Sequence, residues 1–361
     1  MKKSTSFLAT AVGSLPHLNQ ADAVNLIFDA LPDAPVIPQL AKVNQLEDMS
    51  SQLNEKIPGV VYDETDKRFY IDQETETFLE DLEEFMLDYE SIVNDGDMQT
   101  LEKYGISTER CSSMPLFLEK LNISKPPFVK GQVIGPFTFA TSLVDKDKKC
   151  AFYDETNREI IVKALTIKAL WLMKKYREAS PESQPIIFMD EPTISQYGTS
   201  AFITVKKEDV ISCFAEIASI LQKHGALVGI HCCGKSDWSI IAESGVDILN
   251  FDGSCFAESL GLYHDKIKDF LNKGGKIAWG VIPTMDIDAL EAATIESSVK
   301  TYEHAISYLV NKGIDKNLIY EASIITPACG AGILTIEQAQ KAMKLTGELG
   351  KVLRDKYYTH R

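Results

Sequence analysis

The sequence alternates eight times between a short apolar run and a longer amphipathic stretch. The apolar runs have the length and composition of buried strands, and the spacers have the length of helices. The runs occupy residues 8–16, 35–40, 128–136, 185–192, 226–234, 248–253, 276–283 and 318–327. Strands that alternate with helices predict a parallel sheet. Eight such units predict an α/β fold of the closed (β/α)8 TIM-barrel type.

The chain is longer than this fold requires. A barrel of this kind uses about 250 residues, and the chain has 361. Most of the surplus lies in residues 41–125, after the second run, in a stretch that contains the acidic residues Asp63, Glu64 and Asp66. We expect residues 1–361 to form a single domain, with this inserted segment covering one mouth of the barrel. The alternative is that the insertion forms a small separate domain.

Charge and cysteine usage exclude several classes of partner. The chain has 37 Lys and Arg against 52 Asp and Glu, a net charge of −15, which disfavours nucleic acids and anionic membrane surfaces. No apolar run reaches the roughly 18–20 residues that span a bilayer. The apolar stretch at residues 7–9 is also too short for a secretory signal. Seven cysteines, an odd number, predict free thiols in a reducing cytoplasm.

Polar motifs concentrate at the carboxyl ends of the predicted strands, whereas the amino ends carry none. In TIM barrels the active site lies at the carboxyl face, so we expect these groups to converge on one cavity. The motifs are Gly13-Ser14-Leu15-Pro16-His17, Gln39, Gly135-Pro136, Asp190-Glu191-Pro192, His231-Cys232-Cys233-Gly234, Asp252-Gly253-Ser254, Pro283-Thr284 and Pro327-Ala328-Cys329-Gly330.

Three of these residues have the pattern of a metal site. His231 and Cys233 are two apart on one strand and therefore point the same way, whereas Cys232 points toward the helices. Cys329 ends the eighth strand, which lies across the rim from the fifth. One imidazole and two thiolates leave the fourth position of a zinc ion open, as in catalytic zinc sites. The alternative is a pair of buried structural thiols beside a hydrogen-bonded histidine.

An open zinc site indicates a particular chemistry. Zinc lowers the pKa of a bound thiol, so a small thiol substrate would be held as a thiolate that can attack a methyl group in line. Asp190 and Glu191, on the neighbouring strand, could bind a substrate amino group or act as a base. They could also simply mark the start of a helix. Asp252 is a fourth metal ligand, an outer partner of His231 or a turn residue.

Taken together, the motifs resemble the catalytic barrel of the cobalamin-independent methionine synthases, in the superfamily that includes uroporphyrinogen decarboxylase. The resemblance spans nearly the whole barrel. It rests on Val12-Gly13-Ser14-Leu15-Pro16, Gly135-Pro136-Phe137-Thr138, Asp190-Glu191-Pro192, His231-Cys232-Cys233, Asn250-Phe251-Asp252-Gly253-Ser254 and Pro327-Ala328-Cys329-Gly330. It implies a zinc site formed by His231, Cys233 and Cys329, with Asp252 at the position of the family's fourth ligand, a Glu.

The resemblance also implies how a substrate would bind. The backbone of Gly13 and Ser14 would bind the carboxylate of homocysteine, and Asp190 would bind its amino group. A second family acid, on strand two, has no clear counterpart in the region of Gln39.

Two further departures concern the methyl donor. The family Trp that stacks on folate aligns with Thr141 and Ser142, and the family His that protonates the folate nitrogen falls near Thr284 and Met285. The full-length enzymes carry an additional N-terminal barrel, and short single-barrel relatives are thought to take methyl from a corrinoid. Cobalt(I) leaves without a proton. The resemblance therefore implies a zinc-dependent methyltransferase that moves a methyl group from a methylcorrinoid, free or on a corrinoid protein, to a zinc-activated small thiol such as homocysteine.

Two other functions remain open from the sequence. A decarboxylase of the uroporphyrinogen type needs basic residues for several carboxylates and no metal, which the acidic composition and the three metal-type residues disfavour. A non-catalytic barrel that binds a corrinoid or a metal would bind cobalamin without methyl transfer.

Overall fold

The computed structural model describes residues 3–63 and 68–357. Glu64 and Asp66 of the acidic stretch lie outside the described residues. The strands are β1 (Leu8–Ala9), β2 (Val60–Asp63), β3 (Arg68–Ile71), β4 (Phe128–Ile134), β5 (Gln184–Asp190), β6 (Leu227–Cys232), β7 (Ile248–Phe251), β8 (Lys276–Ile282) and β9 (Ser323–Pro327). The helices are α1 (Gln20–Ala30), α2 (Phe78–Asn94), α3 (Met98–Lys103), α4 (Met114–Ser124), α5 (Pro136–Ser142), α6 (Glu155–Ala179), α7 (Lys207–Lys223), α8 (Trp238–Glu243), α9 (Ala257–Gly261), α10 (His264–Asn272), α11 (Ile287–Ala292), α12 (Ile295–Val310), α13 (Lys316–Ala322) and α14 (Ile336–Tyr357).

Seven of the strands form one curled parallel sheet in the order β1-β9-β8-β7-β6-β5-β4. The mixed α/β class and the parallel sheet agree with the sequence prediction. The prediction of eight strands is not met in the described residues, because residues 35–40 do not form a strand. Pro35 and Pro38 lack the N–H groups that a strand ladder needs.

Residues 35–40 nevertheless lie between the two edges of the sheet, and we call this segment the seam. Val36 forms a single parallel bridge with Lys130 of β4, and Gln39 forms one with Ser14, beyond β1. The N–H of Ile37 donates to the carbonyl of Lys130 at 3.1 Å, and the N–H of Gln39 donates to Gly13 at 3.0 Å. The seam thus connects β1 to β4 by isolated bonds rather than by a ladder.

The eighth run also differs from its prediction. Residues 318–322 belong to helix α13, and the strand begins only at Ser323. The carboxylate of Asp315 accepts hydrogen bonds from the backbone N–H groups of Asn317 and Leu318. This N-cap starts a helix in a segment whose apolar residues also fit a strand.

The long helices lie in the spacers between the apolar runs, as the sequence predicts, and form a layer outside the sheet. Asn19 caps α1 by accepting a bond from the N–H of Asp22 at 3.1 Å, and Asp154 caps α6 in the same way. Inside the sheet, side chains such as Phe128, Phe188 and Ile248 form a small buried cluster. None of the helices in the described ranges is both long and apolar enough to cross a bilayer.

The described part of the insertion packs along the outside of the barrel as well as at its rim. Glu102 of α3 accepts hydrogen bonds from Trp171 Nε1 at 3.0 Å and Lys175 Nζ at 2.8 Å, both on α6. At the rim, Gln52 accepts a bond from Gln39 Nε2 at 3.1 Å. Buried side chains of the insertion belong to the same hydrophobic cluster as those of the barrel.

Candidate metal centre

His231, Cys233 and Cys329 meet at the carboxyl rim of the sheet. His231 lies in β6, Cys233 follows its last residue, and Cys329 follows β9 by two residues. Their ligand atoms all lie within 4.8 Å of one another. The imidazole is buried and both thiols are partly exposed. The structure therefore brings together the three residues that the sequence pattern selected.

Asn250 fixes the orientation of His231. Its amide Nδ2 donates to the carbonyl of Ala278 at 2.8 Å and to Thr326 Oγ1 at 2.9 Å, so its Oδ1 faces His231 Nδ1 at 2.7 Å. An amide oxygen only accepts, so Nδ1 must carry the proton. The other ring nitrogen, Nε2, is buried without a hydrogen-bond partner and keeps a free lone pair for a metal.

Thr284 holds the backbone at Cys329. Its hydroxyl donates to the carbonyl of Cys329 at 3.0 Å, and the N–H of Cys329 donates to the Thr284 oxygen at 2.9 Å. Thr284 is fully buried. The sequence places Thr284 among the polar motifs of the rim and near the position of a missing family histidine, but it does not predict this contact. A hydroxyl residue opposite a candidate ligand loop is too weak a signal to find it.

The two thiols lie close enough to shift each other's pKa. The neighbouring Cys329 thiol, and next the His231 imidazole, lower the pKa of Cys233 below its ordinary value. The neighbouring Cys233 thiol, together with burial, raises the pKa of Cys329. Cys232, in contrast, is fully buried, and its thiol donates to the carbonyl of Gly234 at 3.5 Å. As the strand period predicts, Cys232 is not in the cluster.

The three donors fit a zinc ion. In tetrahedral sites with Zn–S near 2.3 Å and Zn–N near 2.0–2.1 Å, neighbouring ligand atoms are roughly 3.5–3.8 Å apart, within the spacing of this cluster. The unpartnered Nε2 of His231 is a further indication, since buried polar atoms are nearly always paired. A nitrogen and two sulfur ligands are typical of zinc, and three protein ligands leave one position open.

Asp252 does not join the cluster in the described residues. Its Oδ1 accepts three short-range bonds, from the N–H of Ser254 at 2.9 Å, the hydroxyl of Ser254 at 2.5 Å and the N–H of Cys255 at 3.0 Å. Of its predicted roles, this geometry supports that of a turn residue. The outer partner of His231 is Asn250, which the sequence analysis included only as part of a motif.

Glu191 is engaged in hydrogen bonds within the fold, and its predicted role in substrate binding stays a prediction. It is fully buried, and its carboxylate accepts bonds from the N–H groups of Phe137 and Thr138 at 2.8 and 2.9 Å and from the Thr138 hydroxyl at 2.7 Å. Burial raises the pKa of Glu191 to about 8, against the opposing effect of these donors. The carboxylate satisfies the first N–H groups of α5, which gives it a role in the fold.

Asp190 differs from its neighbour in sequence. It is inward-facing, 6% exposed, and its Oδ1 has no hydrogen-bond partner. Burial raises its pKa, while the charges of Lys130 and His231 act in the opposite direction. Lys130, in β4, is fully buried and was missed by the sequence analysis, although a lysine inside a buried strand is unusual. Burial lowers the pKa of Lys130 to about 8, and the charge of Asp190 opposes this effect.

Gly13 and Ser14 lie beside the Cys329 loop. A Cβ atom on Gly330 would be 2.0 Å from Ser14 Oγ, so the two loops are in close contact. The N–H of Ala331 donates to the carbonyl of Ser14 at 2.9 Å. Gly13 has a φ of +135°, a conformation that side-chain-bearing residues rarely adopt. The predicted substrate-binding loop is therefore next to the metal centre.

Fold and site define a parallel α/β protein with a candidate zinc centre at the carboxyl rim of its sheet. The structure is similar to that of a B12-independent methionine synthase from Shewanella sp. W3-18-1 in complex with selenomethionine. The TM-score is 0.56 at 13% identity, over 97% of this chain and 98% of that chain. At this identity the likeness shows a shared overall fold alone.

Other comparisons add little. A Cellulomonas fimi endo-beta-1,4-mannanase double mutant aligns with a TM-score of 0.37 at 12% identity, over 73% of this chain and 62% of that chain, which is too low to support an argument. No family model and no curated protein sequence matches the chain.

Proposed function

We propose that this protein is a zinc-dependent methyltransferase that moves a methyl group from a methylcorrinoid to a zinc-activated small thiol such as homocysteine. The observation that carries the proposal is the convergence of His231, Cys233 and Cys329 at the carboxyl rim. The fold neighbour is named as a methionine synthase, which favours the same broad reaction class. All seven cysteines are unpaired, which suits the cytoplasmic location that we also propose.

The chain's own residues would hold the metal and orient the acceptor. His231 would ligate through Nε2, because Asn250 keeps the proton on Nδ1. Cys233 and Cys329 would ligate as thiolates, with Thr284 fixing the Cys329 backbone. A bound zinc ion would supply a lowered thiol pKa, so that the acceptor reacts as a thiolate at neutral pH.

The acceptor site would lie between Asp190 and the loop that contains Gly13 and Ser14. A carboxylate on β5 suits a substrate ammonium group, and the loop is close to the metal centre. The neighbouring structure was solved with selenomethionine, an amino acid with a methylated chalcogen, which favours an amino-acid acceptor here. Alignment of acceptor and donor would then be the main contribution of the protein.

The choice of methyl donor rests on two positions that carry neither an acid nor an aromatic side chain. Thr284 uses its hydroxyl on Cys329, and the hydroxyl of Thr141 donates to the carbonyl of Phe137 at 2.8 Å. Neither offers the acid or the aromatic face that methyltetrahydrofolate requires. In methylcorrinoid chemistry the sulfur forms its bond to the methyl carbon while the cobalt–carbon electron pair stays on cobalt as cobalt(I), so no acid is needed.

A second donor deserves a direct test, because the fold neighbour is named B12-independent. Purified zinc-loaded protein should be incubated with homocysteine and either methylcobalamin or methyltetrahydrofolate, and methionine should be quantified. We expect turnover with methylcobalamin and at least 10²-fold less with methyltetrahydrofolate, the effect of a missing general acid.

Robust turnover with methyltetrahydrofolate would refute the corrinoid donor and keep the methyltransferase. Inactivity with both donors, with cobalamin bound, would favour a non-catalytic corrinoid-binding barrel. A Cys233→Ala variant serves as the control in both assays, because it removes a proposed zinc ligand from the rim.

A further inference from the structure

Gln132 and Asp190 each carry a buried acceptor oxygen without a hydrogen-bond partner. Gln132 lies in β4 and Asp190 at the end of β5, and both are 6% exposed. The unpartnered atoms are Gln132 Oε1 and Asp190 Oδ1. Because buried polar atoms in folded proteins are nearly always paired, two such acceptors on adjacent strands point to a missing donor.

The two side chains are neighbours on the inner face of the sheet. Ile134 pairs with Asp190, so Gln132 is two residues earlier on the same face. Such diagonal neighbours are roughly 7–8 Å apart at Cα, within reach of long side chains. Phe128 and Phe188, which share this face, belong to the interior cluster. Asp190 also pairs with His231, so both acceptors adjoin the metal centre.

The amide of Gln132 is held in one orientation. Its Nε2 donates to the carbonyl of Ile37, in the seam, at 3.3 Å. The backbone of Gly13 packs against the same amide so closely that a Cβ there would be 2.3 Å from Nε2. With the nitrogen committed to the seam, Oε1 is the atom left for a ligand.

No internal donor satisfies the two oxygens. The nearest cation, Lys130, donates to the carbonyl of Val12 at 3.1 Å, and its Nζ is 4.2 Å from the centre of the Phe188 ring. Within the described residues, no hydrogen bond or ion pair joins Lys130 to Gln132 or Asp190. A ligand with N–H donors would complete this pair.

We propose that Gln132 and Asp190 together bind the primary ammonium group of the thiol acceptor, with Gln132 as a specificity-determining residue. An ammonium has three N–H donors, two of which can satisfy Oε1 and Oδ1. This inference rests on the proposed function, which supplies the thiol. It selects amino thiols over thiols without an amino group. The amide adds an acceptor without a second negative charge.

The test compares two thiols that differ only in the amino group, homocysteine and 4-mercaptobutanoate. Their binding to zinc-loaded wild-type and Gln132→Met protein should be measured by calorimetry. We expect the variant to bind homocysteine about tenfold more weakly, to bind 4-mercaptobutanoate within about twofold of wild type, and to keep its zinc. Gln184→Met is the matched control: Gln184 lies at the amino end of β5, donates to Gly225 at 3.4 Å, and should not affect either thiol.

A thermal melt of the ligand-free protein checks that the variant is folded. Gln132→Met removes the unpaired Oε1 but also the bond from Nε2 to the carbonyl of Ile37, so we expect a small decrease in melting temperature, and the contrast between the two thiols is the test of binding. Equal losses for both thiols, or no loss for either, would overturn the inference even if methyl transfer proceeds. Amine-selective binding without methyl transfer would instead overturn the proposed reaction alone. If wild-type protein binds neither thiol, the acceptor class is wrong as well.

Discussion

The two sides of the barrel rim are built by different means. On what we call the metal side, His231, Cys233 and Cys329 lie at the ends of ladder strands in the continuous sheet β5–β9. On the seam side, residues 35–40 have only single bridges to their neighbours. There, side chains of the insertion replace the ladder: Glu47 accepts a bond from the N–H of Leu40 at 3.2 Å.

The backbone ladder and the side-chain hydrogen bonds hold their residues with different precision. Backbone ladders fix strands relative to one another in every residue, which suits metal ligands that must stay within a few tenths of an ångström. The seam side is held by polar side chains and adjoins the loop that we propose binds the substrate. Changes at the three candidate ligands or their supports should therefore affect metal content, and changes in the seam should affect stability or substrate binding.

The largest expected effect is the loss of zinc from Cys329→Ala. We expect about one zinc per chain in the wild type and nearly none in the variant, because an open site has only three protein ligands. Elemental analysis measures the zinc, and circular dichroism checks the fold, which should persist because Cys329 lies in a rim loop. Full zinc content in the variant would show that Cys329 is not a zinc ligand.

Asp190→Asn should weaken homocysteine binding about ten- to hundredfold, since a charge-assisted hydrogen bond contributes about 1.5–3 kcal/mol. Zinc content should not change. Calorimetry and elemental analysis on the same sample measure both quantities. Glu191→Gln is the contrasting variant: it should destabilise the protein at the start of α5 without a specific effect on the ligand. Zinc loss in Asp190→Asn would make Asp190 part of the metal centre.

Thr284→Val tests the support of a single ligand. Loss of the reciprocal bonds to Cys329 should reduce zinc affinity about tenfold, the lower end of the effect of outer-shell partners, and Thr284→Ser should restore it. Ser113→Ala is the matched change on the seam side, because the Ser113 hydroxyl donates to the carbonyl of Pro38 at 2.7 Å. It should reduce stability and leave zinc affinity, measured by chelator competition, as in the wild type.

The smallest effect concerns the insertion. Partial burial alone would raise the pKa of Glu102, but bonds from Lys174, Lys175 and Trp171 outweigh it and lower the pKa to about 2. This contribution to stability is therefore complete above pH 4.5, the ordinary value, and is lost as the pH falls toward 2. Glu102→Gln should cost about 0.5–1 kcal/mol at pH 7, as for exposed ion pairs. The free energies of unfolding of wild type and Glu102→Gln, measured in urea, should differ less at acid pH than at pH 7.

The metal side could be predicted from the sequence because its signals are local. The two-residue spacing of His231 and Cys233 follows from strand geometry, and Cys329 follows the last apolar run. The helices could be predicted from caps such as Asn19 and from long amphipathic stretches.

The parts of the fold and the site that could not be predicted depend on contacts between distant segments. The two prolines of the seam are visible in the sequence, but the insertion side chains that hold it are not. Glu191 and Asp190 are adjacent and chemically alike, and only the fold places the carboxylate of Glu191 against α5 and Asp190 beside His231. Asn250 orients His231 through bonds to two further strands, β8 and β9. No local sequence pattern predicts such contacts.

The seam also sets where the molecule can open. Its backbone bonds to the edges of the sheet are few and isolated, such as those from Ile37 to Lys130 and from Gln39 to Gly13. Local opening should cost less there than in the ladder, so amide hydrogens at Ile37 and Gln39 should exchange with deuterium well before those of β5 and β6. The rim would then widen next to Gln132 while His231 and Cys233 stay in place, which would give a bulky methyl donor a way in without disturbing the metal ligands.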